Sequence, residues 1–333
     1  MAALLGAMFV FSIVMAATFE LARAERVYDY LGMVKLVLGP AWPLFEIAYL
    51  LIILLVLAVV SSAAAIIFAD RLLLDPTSAA LIFPVLVLGL LLLKRSALES
   101  AFSFWSVLIY CGYIALFVAT FSLFGNKGIP ADGTSISANS IFSGIKYAGY
   151  NLAAIPAVLF VLGHQTRRRQ AILSGLLAGP IAMIPAVLLF FAMALHYPAI
   201  LSEPIPLTLM LEKIGSPTFA LIMEIIILGT FFQTAIGFLN SINERVDGAF
   251  KRSGYSALGQ LGRAAVGVVV LGIAKLITLY AGLIELIANG YGTLTYAFLL
   301  LFALPVVTMG VWRIFRRGQS AQVSPTATQE DAV

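Results

Sequence analysis

Six charged side chains inside otherwise apolar stretches are the first candidates for chemistry in this sequence. They are Glu20, Glu46, Lys146, Glu224, Lys275 and Glu285. A charge in apolar surroundings is costly, so each of them needs a partner or a function. Glu224 and Lys275 lie at similar depths in successive apolar runs, which predicts an ion pair with either a structural role or a proton- or ion-linked role. Glu20 and Glu46 fall close to arginines such as Arg23, where carboxylates usually anchor helix ends.

An apolar run that contains a proline carries the next candidates. Tyr147, Asn151 and Leu152 precede Pro156 in this run. Proline removes one helical hydrogen bond and clashes with the preceding turn, which frees carbonyl groups near Leu152. In some transporters, unwound backbone of this kind binds ions or substrate at the midplane of the membrane. The alternative is a simple proline kink, and this feature by itself favours neither.

A polar stripe runs along a later apolar segment. Thr230, Gln233, Thr234 and Asn240 follow the spacing that places side chains on one face of a helix. A polar stripe in a membrane helix faces either another helix or water. The sequence therefore predicts either interhelical hydrogen bonds or the lining of a cavity.

Motifs of other chemistries are missing from the sequence. It contains no nucleophile elbow, P-loop, dinucleotide-binding glycine pattern or His-Glu-x-x-His motif. The single cysteine, Cys111, lies in an apolar run, and the two histidines have no second ligand at metal spacing. We therefore expect no enzymatic activity, no metal site and no cofactor. Gly175 and Gly179 have G-x-x-x-G spacing, which predicts close helix packing.

Composition indicates which kind of structure carries these residues. Of the 333 residues, 62% are hydrophobic and 11% are charged, whereas about 25% of the residues of a soluble domain are charged. In a lipid bilayer the backbone can satisfy its polar groups only in helices or in a closed barrel. The apolar runs lack the alternation of barrel strands. We predict an all-α polytopic integral membrane protein.

Nine apolar runs are long enough to cross a membrane, which requires about 20 residues. They lie near residues 1–22, 43–69, 77–93, 97–124, 143–163, 170–195, 217–248, 257–281 and 285–315. We expect one transmembrane domain over residues 1–317, followed by a disordered cytoplasmic tail over 318–333. Within the loop before the seventh run, Leu207 to Ile214 is predicted to form a short helical cap on the outer surface.

The basic residues predict the orientation of the chain. Fifteen of them fall on one side of the predicted membrane, and three, Arg71, Lys127 and Lys213, fall on the other. The positive-inside rule therefore places the C-terminus in the cytoplasm and the N-terminus of this chain outside the cell membrane. This distribution also accounts for the formal charge of +4, so we expect no nucleic-acid partner.

Four segments together resemble the YkvI family of bacterial membrane proteins. They are Thr18–Arg23, Leu38–Tyr49, Tyr147–Pro156 and Asn240–Arg245. The resemblance covers nearly the whole chain. The family looks like a distant branch of the amino acid, polyamine and organocation transporters. The resemblance therefore implies a LeuT-like core of two inverted five-helix repeats.

The same resemblance implies a function. It implies a secondary transporter for a small polar, amino-acid-like solute, coupled to Na⁺ or H⁺. Family members carry a first helix with a glycine-rich break that this sequence lacks, so we expect its nine helices to correspond to helices two to ten. On that assignment Asn151 to Pro156 line the central site, and Thr230, Gln233 and Thr234 lie next to it. The alternatives are a non-transporting sensor or assembly factor, or an inactive truncated form.

Overall fold

Every regular element in the described part of the chain is helical. The computed structural model describes residues 1–125, 138–155, 159–203, 205–280, 282 and 285–322. Seven of its helices are long and apolar enough to span a membrane. Many large apolar side chains on these helices are exposed, such as Phe104, Leu177 and Val269, as expected of surfaces that face lipid tails. The predicted class, an all-α membrane protein, is confirmed.

The seven long helices match seven of the nine predicted spans. They run over Ala2–Glu25, Tyr30–Leu72, Ala97–Phe124, Arg168–Ala194, Pro217–Arg252, Gln260–Tyr280 and Asn289–Arg316. The predicted span 77–93 is a shorter apolar helix, Pro76–Leu91, of 16 residues. At 1.5 Å per residue it is about 24 Å long, somewhat less than the hydrocarbon thickness of a bilayer. The predicted span 143–163 does not form one continuous α-helix.

In chain order the α-helices receive the following labels. They are α1 (Ala2–Glu25), α2 (Tyr30–Leu38), α3 (Trp42–Leu72), α4 (Pro76–Leu91), α5 (Arg95–Phe124), α6 (Ala138–Asn151), α7 (Arg168–Ala194), α8 (Pro206–Ile214), α9 (Pro217–Arg252), α10 (Gln260–Tyr280), α11 (Gly292–Phe298) and α12 (Val311–Gln322). The predicted cap on the outer loop is confirmed as a helix, α8. Its buried side chains Leu207, Met210 and Leu211 join a core cluster with Leu116 of α5.

Helix α2 is the first part of the helical stretch Tyr30–Leu72. It was not expected from hydropathy, because its nine residues are too few to span a membrane. Its start carries a helix-capping signal, since the carboxylate of Asp29 accepts a hydrogen bond from the Gly32 N–H at 2.7 Å. Gly39, with φ +56°, ends the helix. A 3₁₀ turn over Gly39–Ala41 then leads directly into α3.

The last span differs from a regular α-helix. Three π-helical segments, Leu286–Tyr291, Leu299–Ala303 and Val306–Gly310, alternate with α-helical ones. Helix α12 continues to Gln322, five residues past the predicted end of the transmembrane domain. The rest of the predicted tail lies outside the described residues.

The chain divides into two compact units, each assembled from separated segments. Apart from Met1, the first unit comprises the described residues within 50–135 and 184–292, and the second comprises the described residues within 2–49, 136–183 and 293–333. Hydropathy reveals no such boundary, because the division falls inside long helices such as α3 and α7.

Helix packing in the first unit centres on a tryptophan that lies against a glycine. The Trp105 indole on α5 donates a hydrogen bond to the Ile226 carbonyl oxygen on α9, at 2.9 Å. A Cβ at Gly229 would lie 1.9 Å from that indole ring. Only glycine therefore leaves room for the ring. A second contact stacks Phe83 of α4 on Phe232 of α9, with centroids 4.8 Å apart.

Helix packing in the second unit centres on α1. The predicted packing role of Gly175 and Gly179 is confirmed, because both glycines of α7 lie against α1. A Cβ at Gly175 would lie 2.3 Å from the Ala16 Cα, and one at Gly179 would lie 2.0 Å from the Ser12 Oγ. On α6, Gly144 makes a similarly close approach to the backbone of Ala3. Small residues thus bring three helices of this unit close together.

Candidate functional site

The interrupted helix of the second unit is the central feature of the candidate site. Helix α6 ends at Asn151 and continues as a 3₁₀ turn over Leu152–Ala154. Ile155 is again α-helical, and a second 3₁₀ segment covers Leu159–His164 before the next long helix begins at Arg168. A simple proline kink would have α-helix on both sides. The described residues leave both the kink and the discontinuous helix open, because residues 156–158, which include Pro156, lie outside them.

The backbone at the interruption differs from our prediction in one respect. We expected the carbonyl of Leu152 to be freed, but it accepts a hydrogen bond from the Ile155 N–H. A 3₁₀ turn closes i to i+3 hydrogen bonds and so uses carbonyls that an ended α-helix leaves open. The side chain of Leu152 is fully buried. Leu152 therefore contributes to packing.

The side chains of Asn151 and Tyr147 belong to one local arrangement. The Asn151 Nδ2 donates to the Tyr147 carbonyl oxygen at 2.6 Å, one turn earlier on the same helix. The Tyr147 and Tyr150 rings meet edge to face with centroids 5.3 Å apart. These contacts hold two aromatic rings and an amide together just before the interruption.

A polar stripe on α6 extends this arrangement towards the start of the helix. Ser143, Lys146, Tyr147 and Tyr150 follow the i, i+3, i+4, i+7 spacing of one helical face. The small residues Gly144, Ala148 and Gly149 are buried on the other side. Ser143 and Tyr150 were not among our predicted site residues, although the spacing of polar residues in the sequence already identifies them.

The polar stripe on α9 is largely engaged in hydrogen bonds inside the protein. The hydroxyls of Thr230 and Thr234 donate to carbonyls one turn earlier on α9, Ile226 and Thr230, both at 2.9 Å. The Gln233 Nε2 lies 3.4 Å from the Ser106 Oγ on α5. Of our two interpretations, the geometry favours interhelical hydrogen bonding for Gln233. Asn240 is partly buried farther along α9.

The two predicted groups of site residues belong to different units. Tyr147, Asn151 and Leu152 belong to the second unit, whereas Thr230, Gln233, Thr234 and Asn240 belong to the first. Within the groups, contacts join Asn151 to Tyr147 and Thr234 to Thr230.

Glu224 has a different partner from the one we predicted. Both of its carboxylate oxygens accept hydrogen bonds from the Arg71 guanidinium, from Nε at 2.5 Å and from Nη2 at 2.7 Å. We expected Lys275 instead, but the part of the chain that the structure describes shows no ion pair for that lysine. The physical reason is that α3 extends to Leu72 and therefore places the planar guanidinium of Arg71 within reach of the Glu224 carboxylate.

The carboxylates near the other predicted membrane surface are also paired. Glu20, which is 3% exposed, receives two hydrogen bonds from Arg23 at 2.7 and 2.8 Å. The Arg168 Nε lies 3.5 Å from the same carboxylate, so this group links α1 to the start of α7. Glu46 accepts from the Tyr30 hydroxyl at 2.5 Å. The contacts of Glu20 with arginines are of the kind that we expected, whereas the contact shown for Glu46 is with a tyrosine.

Comparison with known proteins adds no family to these observations. No family model matches the chain, and no curated protein matches it significantly. Among the described residues, no group of three or more His, Cys, Asp or Glu side chains could hold a metal ion.

Proposed function

We propose that this protein is a secondary active transporter of a small polar, amino-acid-like solute, driven by Na⁺ or H⁺. The observation that carries the proposal is the interrupted helix of the second unit, which has a polar stripe immediately before the interruption. Transporters use interrupted membrane helices and the polar groups beside them to bind solutes. Here the Leu152 carbonyl is taken by a 3₁₀ bond, so the polar side chains of the stripe are the groups that would meet a solute.

The division into two units supports the same proposal. Secondary transporters alternate between states by moving one helical bundle as a body against another. Such a motion requires units that are each internally well packed. Here close glycine contacts join the helices of the second unit, and a Trp105–Gly229 contact joins helices of the first.

The proposal extends to the location and ancestry of the protein. We place it in the cell membrane with its C-terminus in the cytoplasm, because the basic residues cluster on that side of the predicted spans. We further propose that it is a distant relative of the LeuT-like transporters, through its resemblance to the YkvI family. On that assignment α6 and the 3₁₀ segments that follow it correspond to the sixth core helix.

Reconstituted vesicles test the proposed function. Purified protein in proteoliposomes should accumulate at least one ¹⁴C-labelled L-amino acid against its concentration gradient when a Na⁺ or proton gradient is imposed. Accumulation should stop when an ionophore collapses the gradient. Binding of an amino acid without any uptake would instead favour the non-transporting sensor.

A variant of the polar residues should show whether the interruption matters. We expect the double substitution Tyr147→Leu with Asn151→Leu to lower uptake about 10-fold or more. It removes a hydroxyl and an amide, and polar groups of this kind orient a bound solute through hydrogen bonds. Ser103→Ala is the matched control, because the Ser103 hydroxyl is exposed on α5 and donates only to the Glu99 carbonyl of its own helix. If both variants kept wild-type uptake, the stripe on α6 would not be part of the solute path.

A further inference from the structure

Lys146 has an unusual environment for a charged residue in this protein. Its side chain is partly buried on α6, and its ammonium lies 5.3 Å from the centroid of the Phe142 ring. Its carbonyl oxygen accepts a hydrogen bond from the Thr295 hydroxyl at 3.2 Å. The described residues include no acidic partner for it. By contrast, Glu20 and Glu224 are both paired with arginines.

An aromatic ring compensates only part of the cost of desolvating this ammonium. A cation over an aromatic ring gains less than the full burial of a charge costs, and Lys146 is partly buried. Partly buried lysines in membrane segments usually pair with an anion or lie on a solute pathway. The environment of Lys146 therefore suits an anion that comes from outside the protein.

The neighbouring polar groups indicate which kind of anion. Lys146 shares one helical face with the hydroxyls of Ser143, Tyr147 and Tyr150. An ammonium offers only donors, and hydroxyls can donate as well. A carboxylate is the complementary group, because it accepts through two oxygens and carries the opposite charge. A metal cation would be repelled by the ammonium.

We propose that Lys146 binds the carboxylate of the solute, so that the solutes are small carboxylic acids, with amino acids among them. The inference rests on the proposed transport function and adds a substrate class to it. Lys146 lies five residues before the end of α6, a distance of about 7.5 Å along the helix axis. A bound amino acid could therefore reach from the ammonium to the interruption.

Matched acid and amide probes test the inference in the purified full-length protein. The melting temperature is measured in detergent with glycine, L-alanine, L-serine and L-leucine, and with the corresponding amides, which lack the negative charge. We expect at least one acid to raise the melting temperature and its amide to have no effect. Lys146→Met should weaken the effect of the acid about 10- to 100-fold in half-maximal concentration. Lys146→Arg, which keeps the charge, should retain most of it.

Lys275→Met is the matched control, because Lys275 is also partly buried in a membrane helix but lies among mainly apolar neighbours such as Leu271 and Leu279. It should keep the preference for the acid. The melting temperature without ligand shows whether each variant folds. If Lys146→Met fails to fold, the effect of the acid is compared between Lys146→Arg and the wild type.

Several outcomes would overturn the inference. They are an equal effect of acid and amide, no effect of any acid on the wild type, or an unchanged preference in Lys146→Met. A lysine that binds a lipid phosphate would give the second of these outcomes, because no added acid would then bind to it. Uptake assays distinguish failure of the carboxylate site from failure of the proposed transport function. A preference for acids without uptake would support the carboxylate site and contradict transport. Uptake of amides would support transport and contradict the carboxylate site.

Discussion

Gly175→Ala should lower the apparent melting temperature of the purified protein by about 3–10 °C. A Cβ at this position would lie 2.3 Å from the Cα and 2.4 Å from the backbone nitrogen of Ala16. The obstacle is backbone, so no side-chain rotation relieves it, and α1 and α7 have to move apart. Overpacking of this kind costs about 1–3 kcal/mol, and each kcal/mol shifts the melting temperature of a domain of 150–250 residues by about 2–4 °C.

Glycine positions with free space provide the control for this experiment. A Cβ at Gly237 or at Gly272 would meet nothing within 4 Å. Alanine also favours a helix over glycine by about 1 kcal/mol, so Gly237→Ala and Gly272→Ala should leave the melting temperature unchanged or raise it slightly. If Gly175→Ala behaved like these two controls, the close contact between α1 and α7 would be wrong. Thermal scanning in detergent, with light scattering to follow aggregation, measures all three variants.

The long helices were predictable from the sequence because hydropathy reports burial in lipid directly. Seven spans and the short helix α8 follow from that signal together with caps and loop composition. Hydropathy does not detect α2, because nine residues cannot span a membrane. Nor does it detect the π-helical segments of the last span, which keep the same apolar composition as an α-helix. These features depend on local backbone geometry.

The candidate site was predictable in part for a similar reason. A proline with polar neighbours indicates an interruption near Asn151, and the structure ends the α-helix there. The use of the Leu152 carbonyl by Ile155 was not predictable, because proline reveals which hydrogen bond is lost but not which 3₁₀ bond replaces it. The partner of Glu224 was missed because pairs between helices depend on tertiary packing. Arg71 lies 153 residues away in the sequence, and we had assigned it to a loop.

The Arg71–Glu224 pair should contribute stability to the first unit and little to transport. Glu224 is only 9% exposed, whereas the side chain of Arg71 is 44% exposed. Loss of the carboxylate therefore leaves an arginine that can reach water, so we expect a cost well below the 3–5 kcal/mol of a fully buried pair, about 1–2 kcal/mol. Glu224→Gln should lower the melting temperature by a few degrees and keep at least about half of the uptake, since it retains a side chain of the same shape.

Lys275→Met separates this structural role from a coupling role. The two residues belong to different contacts in the structure, so Lys275→Met should leave the melting temperature nearly unchanged, and the double variant should show the sum of the single effects. A stable Glu224→Gln protein whose uptake no longer responds to the imposed gradient would contradict this prediction. That result would assign proton or ion coupling to the carboxylate.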